Sequence, residues 1–219
     1  MNYLELTRET HRESASGGTA PLSLTGITGE NLRLANWVKQ ADLIIQEMFV
    51  DWNFRWAQQT VNLVADTPIY SPASEVAEFD RSTFRVNGMP VNCVSYLSVK
   101  RDTREDVPGA PYQVVIMPDG TLRPDPTPSE DGELTFDYWI PPVSLSDGED
   151  VSIIPERFHL AIVGKALMLY AEYEGAEEIL RKGASMYGEW IDKLKSNQLP
   201  GDRYMHNVAE GNELTIIVE

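Results

Sequence analysis

Glu156-Arg-Phe-His159 is the first pattern in this sequence whose residue types and spacing could do chemistry. A carboxylate and an imidazole three positions apart share one helix face, the arrangement of di-iron carboxylate sites, which also need a second such motif and further glutamates. The sequence holds no second Glu-x-x-His, so His159 reads as a helix-surface or packing residue. Gly183-Ala-Ser-Met-Tyr187 begins like a nucleophile elbow but closes on tyrosine where glycine is required. Gly183 and Gly188 have phosphate-loop spacing, yet Glu189-Trp190 stands where Lys and Ser or Thr are needed. Both glycines are therefore expected to permit close helix packing. His11, His159 and His206 are far apart in the chain, which leaves a histidine triad or metal cluster without local support.

Cys93 is the only cysteine, so an intrachain disulfide or cysteine-rich zinc site is excluded, in keeping with a reducing cytoplasm. Its β-like run, Val91 to Val99, predicts a buried and inert thiol. The acidic run Glu130, Asp131, Glu133 reads as a solvated loop. Trp37, Trp52 and Trp190 fall on apolar helix stripes and read as core rather than as platforms for sugars or bases. The inventory supplies no catalytic or metal-binding motif, while paired carboxylates among the 34 acidic residues stay possible.

The elements that carry these residues follow from periodicity. Phe158, Ile162, Ala166, Leu169 and Tyr173 recur at helical steps, with Pro155 suited to the first turn. Leu180, Gly183, Tyr187, Trp190 or Ile191, and Leu194 repeat the pattern, and Glu174-Gly175-Ala176 between them marks a turn. The expectation is a helical hairpin, with one long helix through Gly175 as the rival. Asn31 to Trp52 carries a second stripe of Leu34, Trp37, Ala41, Ile44 or Ile45, Met48 and Trp52, whose apolar face needs that hairpin as partner. Tyr3 to Ser14 would make a marginal helix anchored by Leu4 and Leu6, and Ala15 to Gly29 an irregular connector.

Between the helices, β-branched residues and short alternating runs predict strands at Thr60 to Val64, Thr83 to Val86, Val91 to Lys100, Tyr112 to Met117, Thr121 to Arg123 and Glu133 to Ile140. Asn87-Gly88 and Asp119-Gly120 are hairpin turns in this reading. The fold class is α+β, a helical bundle with an inserted antiparallel β subdomain. The expected divisions are 1–53, an arm and first helical part; 54–154, the β subdomain; 155–200, the hairpin completing the helical domain; and 201–219, an extended arm. In that arm Leu214, Ile216 and Val218 alternate with Thr215 and Ile217, a short strand that must pair within its own sheet or with another chain.

Composition bounds the function classes. The 219 residues are 42% hydrophobic with a formal charge of −16, and no apolar run approaches a membrane span or secretory signal. An acidic surface repels phosphate backbones, which disfavours tight nucleic-acid binding.

The order of features resembles the head-to-tail adaptor (connector or head-completion) proteins of tailed bacteriophages. Val114-Val-Ile-Met-Pro-Asp-Gly-Thr-Leu-Arg-Pro-Asp-Pro126 is similar to a family segment of strand, Pro-Asp-Gly turn, short strand and Pro-x-Pro exit. Glu133 to Leu145 resembles the following strand, Ile153 to His159 the entry to the hairpin, Gly164 to Ala171 its first helix, and Thr25 to Trp52 the long amphipathic helix. The resemblance implies a non-enzymatic ring without a cofactor, usually of twelve copies, below the portal protein, extending the DNA channel to a downstream tail or terminator protein. It implies a virion location at the head-to-tail interface after synthesis in the host cytoplasm. It also implies neighbouring copies as partners, DNA that passes without tight binding, and a terminal arm on the portal or a neighbouring subunit. Leu214, Ile216, Ile217 and Val218 are the expected contact residues. A carboxylate-dependent virion-associated hydrolase or a carbohydrate-binding module is the alternative, separable by turnover on cell-wall glycans or retention on immobilised sugars.

Overall fold

The computed structural model describes residues 1–15, 17–72, 75–99 and 108–199. Its first helix, α1 (Tyr3–Glu13), is started by a reciprocal cap: Glu5 N–H donates to Asn2 Oδ1, and Asn2 N–H to the Glu5 carboxylate. Tyr3, Leu6, Thr7 and Thr10 form its buried face. Both threonine hydroxyls donate to the carbonyl four residues back, which lets polar side chains face a core. Leu4, expected as an anchor, is only half-buried; Tyr3 takes that role and donates its hydroxyl to the Ala35 carbonyl at 2.8 Å.

An irregular connector leads to α2 (Gly29–Glu47), which buries Leu34, Ala35, Val38, Ala41 and Ile45. The helix ends at Glu47, short of the expected Trp52, and Met48 is exposed rather than part of the stripe. Trp52 folds back, fully buried, and its indole N–H donates at 2.9 Å to the Ile45 carbonyl in the last turn, which also takes the Met48 N–H at 3.4 Å.

Two compact units share the chain: Arg55–Pro141 is one, and Met1–Phe54 with the described residues from Pro142 onward is the other. The first contains β1 (Trp56–Leu63), β2 (Glu78–Val86), β3 (Met89–Pro90), β4 (Asn92–Ser95), a helical turn α3 (Tyr96–Val99), β5 (Gln113–Ile116), β6 (Leu122–Asp125) and β7 (Gly132–Trp139). One sheet has the order β1-β7-β2-β3 and the other β4-β5-β6. Phe84 and Phe136 stack at 5.1 Å in a core with Leu63, Leu122 and Leu134. Asn87 and Gly88, at φ 49° and 78°, make the β2–β3 turn, and Gly120 at φ 81° lies in the β5–β6 turn, both as the sequence predicts.

The strands β1 and β2 begin earlier than the expected Thr60 and Thr83, β3 was not expected, and two further features differ from the sequence expectation. The run from Val91 yields only a four-residue strand before the helical turn. The β4–β5 pair is parallel, which the long connection from Tyr96 to Tyr112 permits; every other ladder is antiparallel among the described residues.

In the helical unit Pro155, with ψ 134°, stands before rather than inside the first turn, and a 3-10 turn over Glu156–Phe158 leads into α4 (His159–Glu174). Gly175 at φ 69° closes α4 in the left-handed conformation, and α5 (Glu177–Gln198) follows. The chain is thus a hairpin here, not one long helix. Packed against α1, α2 and α5, α4 is apolar almost all round. Ala35, Val38, Ala41 and Ile45 share a core with Ile162, Ala166, Leu167, Ile191 and Leu194, so helices distant in sequence do pack together. Tyr173, expected in this stripe, is 61% exposed.

Gly164 and Gly183 bring the α4 and α5 backbones into contact. A Cβ on Gly164 would sit 2.6 Å from Tyr187 N, and one on Gly183 would sit 3.0 Å from the Gly164 carbonyl oxygen. Gly188 meets nothing within 4 Å, so the packing role expected of it belongs to Gly164 instead.

Candidate functional site

The residues with catalytic spacing are held in structural roles. Glu156 is largely exposed, and its carboxylate takes the Met1 nitrogen at 2.8 Å, which holds its pKa below the usual carboxylate range. His159 is fully buried, with Nε2 2.8 Å from the Ile154 carbonyl and Nδ1 3.1 Å from the Met1 nitrogen. The carbonyl can only accept, so Nε2 carries the proton and Nδ1 is the acceptor. Burial lowers the His159 pKa further, keeping the ring neutral. His159 is therefore a satisfied packing residue rather than one on the helix surface. Among the described residues no group of three His, Cys, Asp or Glu is placed to hold a metal ion.

Gly183, Ser185 and Tyr187 lie within one continuous helix, without the strained turn that a nucleophile elbow needs. Cys93 is half-buried rather than buried, and burial pushes its thiol up to about 11, which keeps it protonated and unreactive. Glu130 and Asp131 are exposed in the loop before β7, as expected, whereas Glu133, also exposed, lies in β7 itself. Trp52 is core, while Trp37 and Trp190 pack at its margin. His11 is buried in α1, and His206 lies outside the described residues.

An open groove of the β unit sets Glu75 and Asp119 beside Ser71 and Thr121. Asp119 accepts from both the hydroxyl and the amide of Thr121, which lowers its pKa. Held in its charged form, Asp119 has no proton to donate at neutral pH, so it is not the raised general acid of a two-carboxylate hydrolase.

The carboxyl pushed toward neutrality is Asp42, and the sequence reading passed over it. Burial raises its pKa to about 6 against the hydrogen bonds it accepts from Ser152 Oγ at 2.5 Å and Gln46 Nε2 at 2.7 Å. Gln46 in turn bonds both backbone groups of Val143. Asp42 is wholly inaccessible, so no substrate reaches it. It fastens the segment from Pro142 to Ile154 onto α2. The signal was present in the pattern: Asp42 and Gln46 are polar residues four apart beside Val38, Ala41 and Ile45, on the face that must be buried.

What remains is surface. Tyr173 leans on Trp37 at 5.4 Å under the Arg33 guanidinium, with Leu32 42% exposed one residue away in the chain. Glu172, Glu174, Glu177 and Glu178 are exposed around the α4–α5 turn. In the β unit Trp56, Met89, Leu97 and Tyr112 are each at least half exposed. Such surfaces serve contacts between chains more readily than turnover. No helix among the described residues is long and apolar enough to cross a membrane. Leu214, Ile216, Ile217 and Val218 lie outside the described residues.

A family model for the SU10 adaptor protein matches residues 1–210. No curated protein matches the sequence.

Proposed function

Because this chain belongs to the SU10 adaptor protein family, and is thus a phage adaptor protein, we propose that it assembles as a ring beneath the portal and extends the DNA channel to the tail. The match over residues 1–210 carries the reading. It is supported by the structural or solvent roles of the catalytic candidates among the described residues, and by exposed apolar side chains on each unit. The ring contains twelve copies, stands at the head-to-tail interface of the virion and contacts a downstream tail or terminator protein. It works without a cofactor or catalytic residue. The charge of −16 per chain, multiplied around a ring, repels the DNA backbone and keeps passing DNA mobile. Leu214, Ile216, Ile217 and Val218 dock on another subunit of the assembly, the portal or a neighbouring copy.

Negative-stain microscopy of the purified protein mixed with portal rings tests this directly. A second ring of density stacked on the portal is expected; portals that stay bare at micromolar adaptor overturn the proposal. Filter binding should show no retention of duplex DNA at physiological salt. Tight retention that weakens steeply with salt would refute the passive channel.

A further inference from the structure

Among the described residues, β1 is an edge strand that is neither shortened, bulged, charged nor hydrogen-bonded along its outer side. It occupies the end of its sheet, runs for eight residues and pairs with β7 in an unbroken register from Trp56↔Trp139 to Leu63↔Gly132. Its sequence, Trp-Ala-Gln-Gln-Thr-Val-Asn-Leu, contains no charge, proline or glycine, in a chain that is otherwise strongly acidic. Natural edges are normally shortened, bulged, charged or covered, because an open edge recruits another strand. The other edges here follow that rule. β3 has two residues, one of them Pro90; β4 has four; and β6 contains Pro124 and is flanked by Tyr70, which exchanges two backbone hydrogen bonds with Leu122.

The ladder fixes which groups are free. Ile140 N–H donates to the Arg55 carbonyl, so in this antiparallel pairing Ala57, Gln59, Val61 and Leu63 turn their backbone groups toward β7. Trp56, Gln58, Thr60 and Asn62 turn theirs outward, and all four are exposed. No hydrogen bond from these outward backbone groups is found among the described residues.

We propose that this edge accepts Leu214–Val218 of a neighbouring copy as an added strand. The proposal rests on the ring reading above and names the acceptor within it. Leu214-Thr-Ile-Ile-Val218 is a run of β-prone residues without charge, the complement of an uncharged edge. The chain from Leu199 to Leu214, fully extended, spans ~50 Å, against a radius of gyration of ~17 Å for a chain of this size. The segment can therefore reach across an adjacent subunit. Each copy offers one such edge and one such segment, so the pairing is heterologous, passes from copy to copy and closes in a ring. Pairing β1 with β1 of a second copy would be isologous and would stop at two chains.

Amide-resolved hydrogen exchange on the full-length protein tests it, with a peptide of residues 212–219 as probe. In dilute protein the amides of Ala57, Gln59, Val61 and Leu63 should already be protected, and those of Trp56, Gln58, Thr60 and Asn62 should exchange freely. Excess peptide should slow the second set on the order of tenfold and leave the first unchanged. Thr60→Pro removes an outward donor without touching a β7 bond and should abolish that protection. Thr60→Lys, which keeps the strand backbone intact, should weaken it. Protection elsewhere, or none, overturns the proposal. Protection already present in the dilute chain without peptide also overturns it, since the segment would then serve its own chain, as does a two-copy species that persists without residues 213–219. Portal-bound rings seen by microscopy with unprotected β1 amides would sink this inference alone. Peptide protection with bare portals would sink the ring reading and spare the edge.

Discussion

Asp42→Asn should remove a pH dependence that the wild-type protein carries. The Asp42 carboxyl titrates near 3.8 in the unfolded chain and at about 6 in the fold, because burial opposes its charge. Below the unfolded value both states are protonated and nothing is lost. As pH rises the unfolded chain ionises first, so stability falls until the folded group ionises too. The full loss is about 3 kcal/mol, at roughly 1.4 kcal/mol for each tenfold change in proton affinity. Between pH 5 and 7.5 the share of it is ~1.4 kcal/mol. Asparagine keeps the shape of the site, since its oxygen accepts from Gln46 and its amide donates to Ser152. His159, with its pKa lowered, acts in the opposite sense: its contribution is lost as pH falls through 6.5. Glu13, Asp150 and Glu156, all lowered, also lose theirs toward acid. These groups are common to both proteins and cancel in the difference. Urea unfolding at the two pH values should therefore show the wild type losing ~1.4 kcal/mol relative to Asp42→Asn on going from pH 5 to 7.5, about 0.5 M in midpoint. A difference that stays constant over that range would mean Asp42 ionises in the fold as it does in water, and the burial argument would be wrong.

Gly164→Ala should lower stability by roughly 2 kcal/mol or more, because the new Cβ meets backbone that cannot move aside, whereas Gly188→Ala, in open space within a helix, should raise it by about 0.5–1 kcal/mol; thermal melts of the pair decide. Gln59→Met removes Oε1, a buried oxygen without a partner among the described residues, and should stabilise the β unit by ~1 kcal/mol in urea titration. Ile162→Asp places an unpaired charge at a fully buried site and should unfold the helical unit, since the cost of several kcal/mol is comparable to a total of roughly 5–15; an unchanged circular-dichroism melt would contradict it. Deleting residues 213–219 should leave the melting temperature unchanged while reducing incorporation into portal-containing particles, which quantitative blotting of purified particles measures.

The parts of the fold that were legible are those where one residue type dictates backbone geometry. Gly175 accepts the left-handed φ that ends α4, and Asn87-Gly88 the two positive φ values of a tight turn, and each was placed from sequence. Where tertiary partners decide, the pattern misled. α1 looked marginal because Thr7 and Thr10 count as polar, yet each satisfies its hydroxyl on its own helix and can be buried. Val91 to Lys100 looked like one long strand because its β-branched composition gives no sign of where the partner β5 stops at Ile116. The Glu156–His159 spacing was correct for ligands sharing a helix face, but Glu156 lies in the 3-10 turn before α4 and His159 points into the core. Asp42 was legible as a polar residue on a face that must be buried, but its partner was not, because Ser152 lies more than a hundred residues away.

The helical unit is made from two separated pieces of chain, and this sets the order of events at the ribosome. α1 and α2 leave the exit tunnel first, with Ala35, Val38 and Ile45 prepared for a partner in α4 that lies on the order of 100 residues downstream. At about 5–20 residues per second those side chains wait ~5–20 s before Ile162 and Leu167 are synthesised. The β unit is completed during that interval, and its closing strand β7 emerges before the hairpin does. A nascent chain halted between Pro141 and His159 would thus carry a finished sheet and an unsatisfied amphipathic helix pair, the form of this protein most exposed to capture by chaperones in the infected cell.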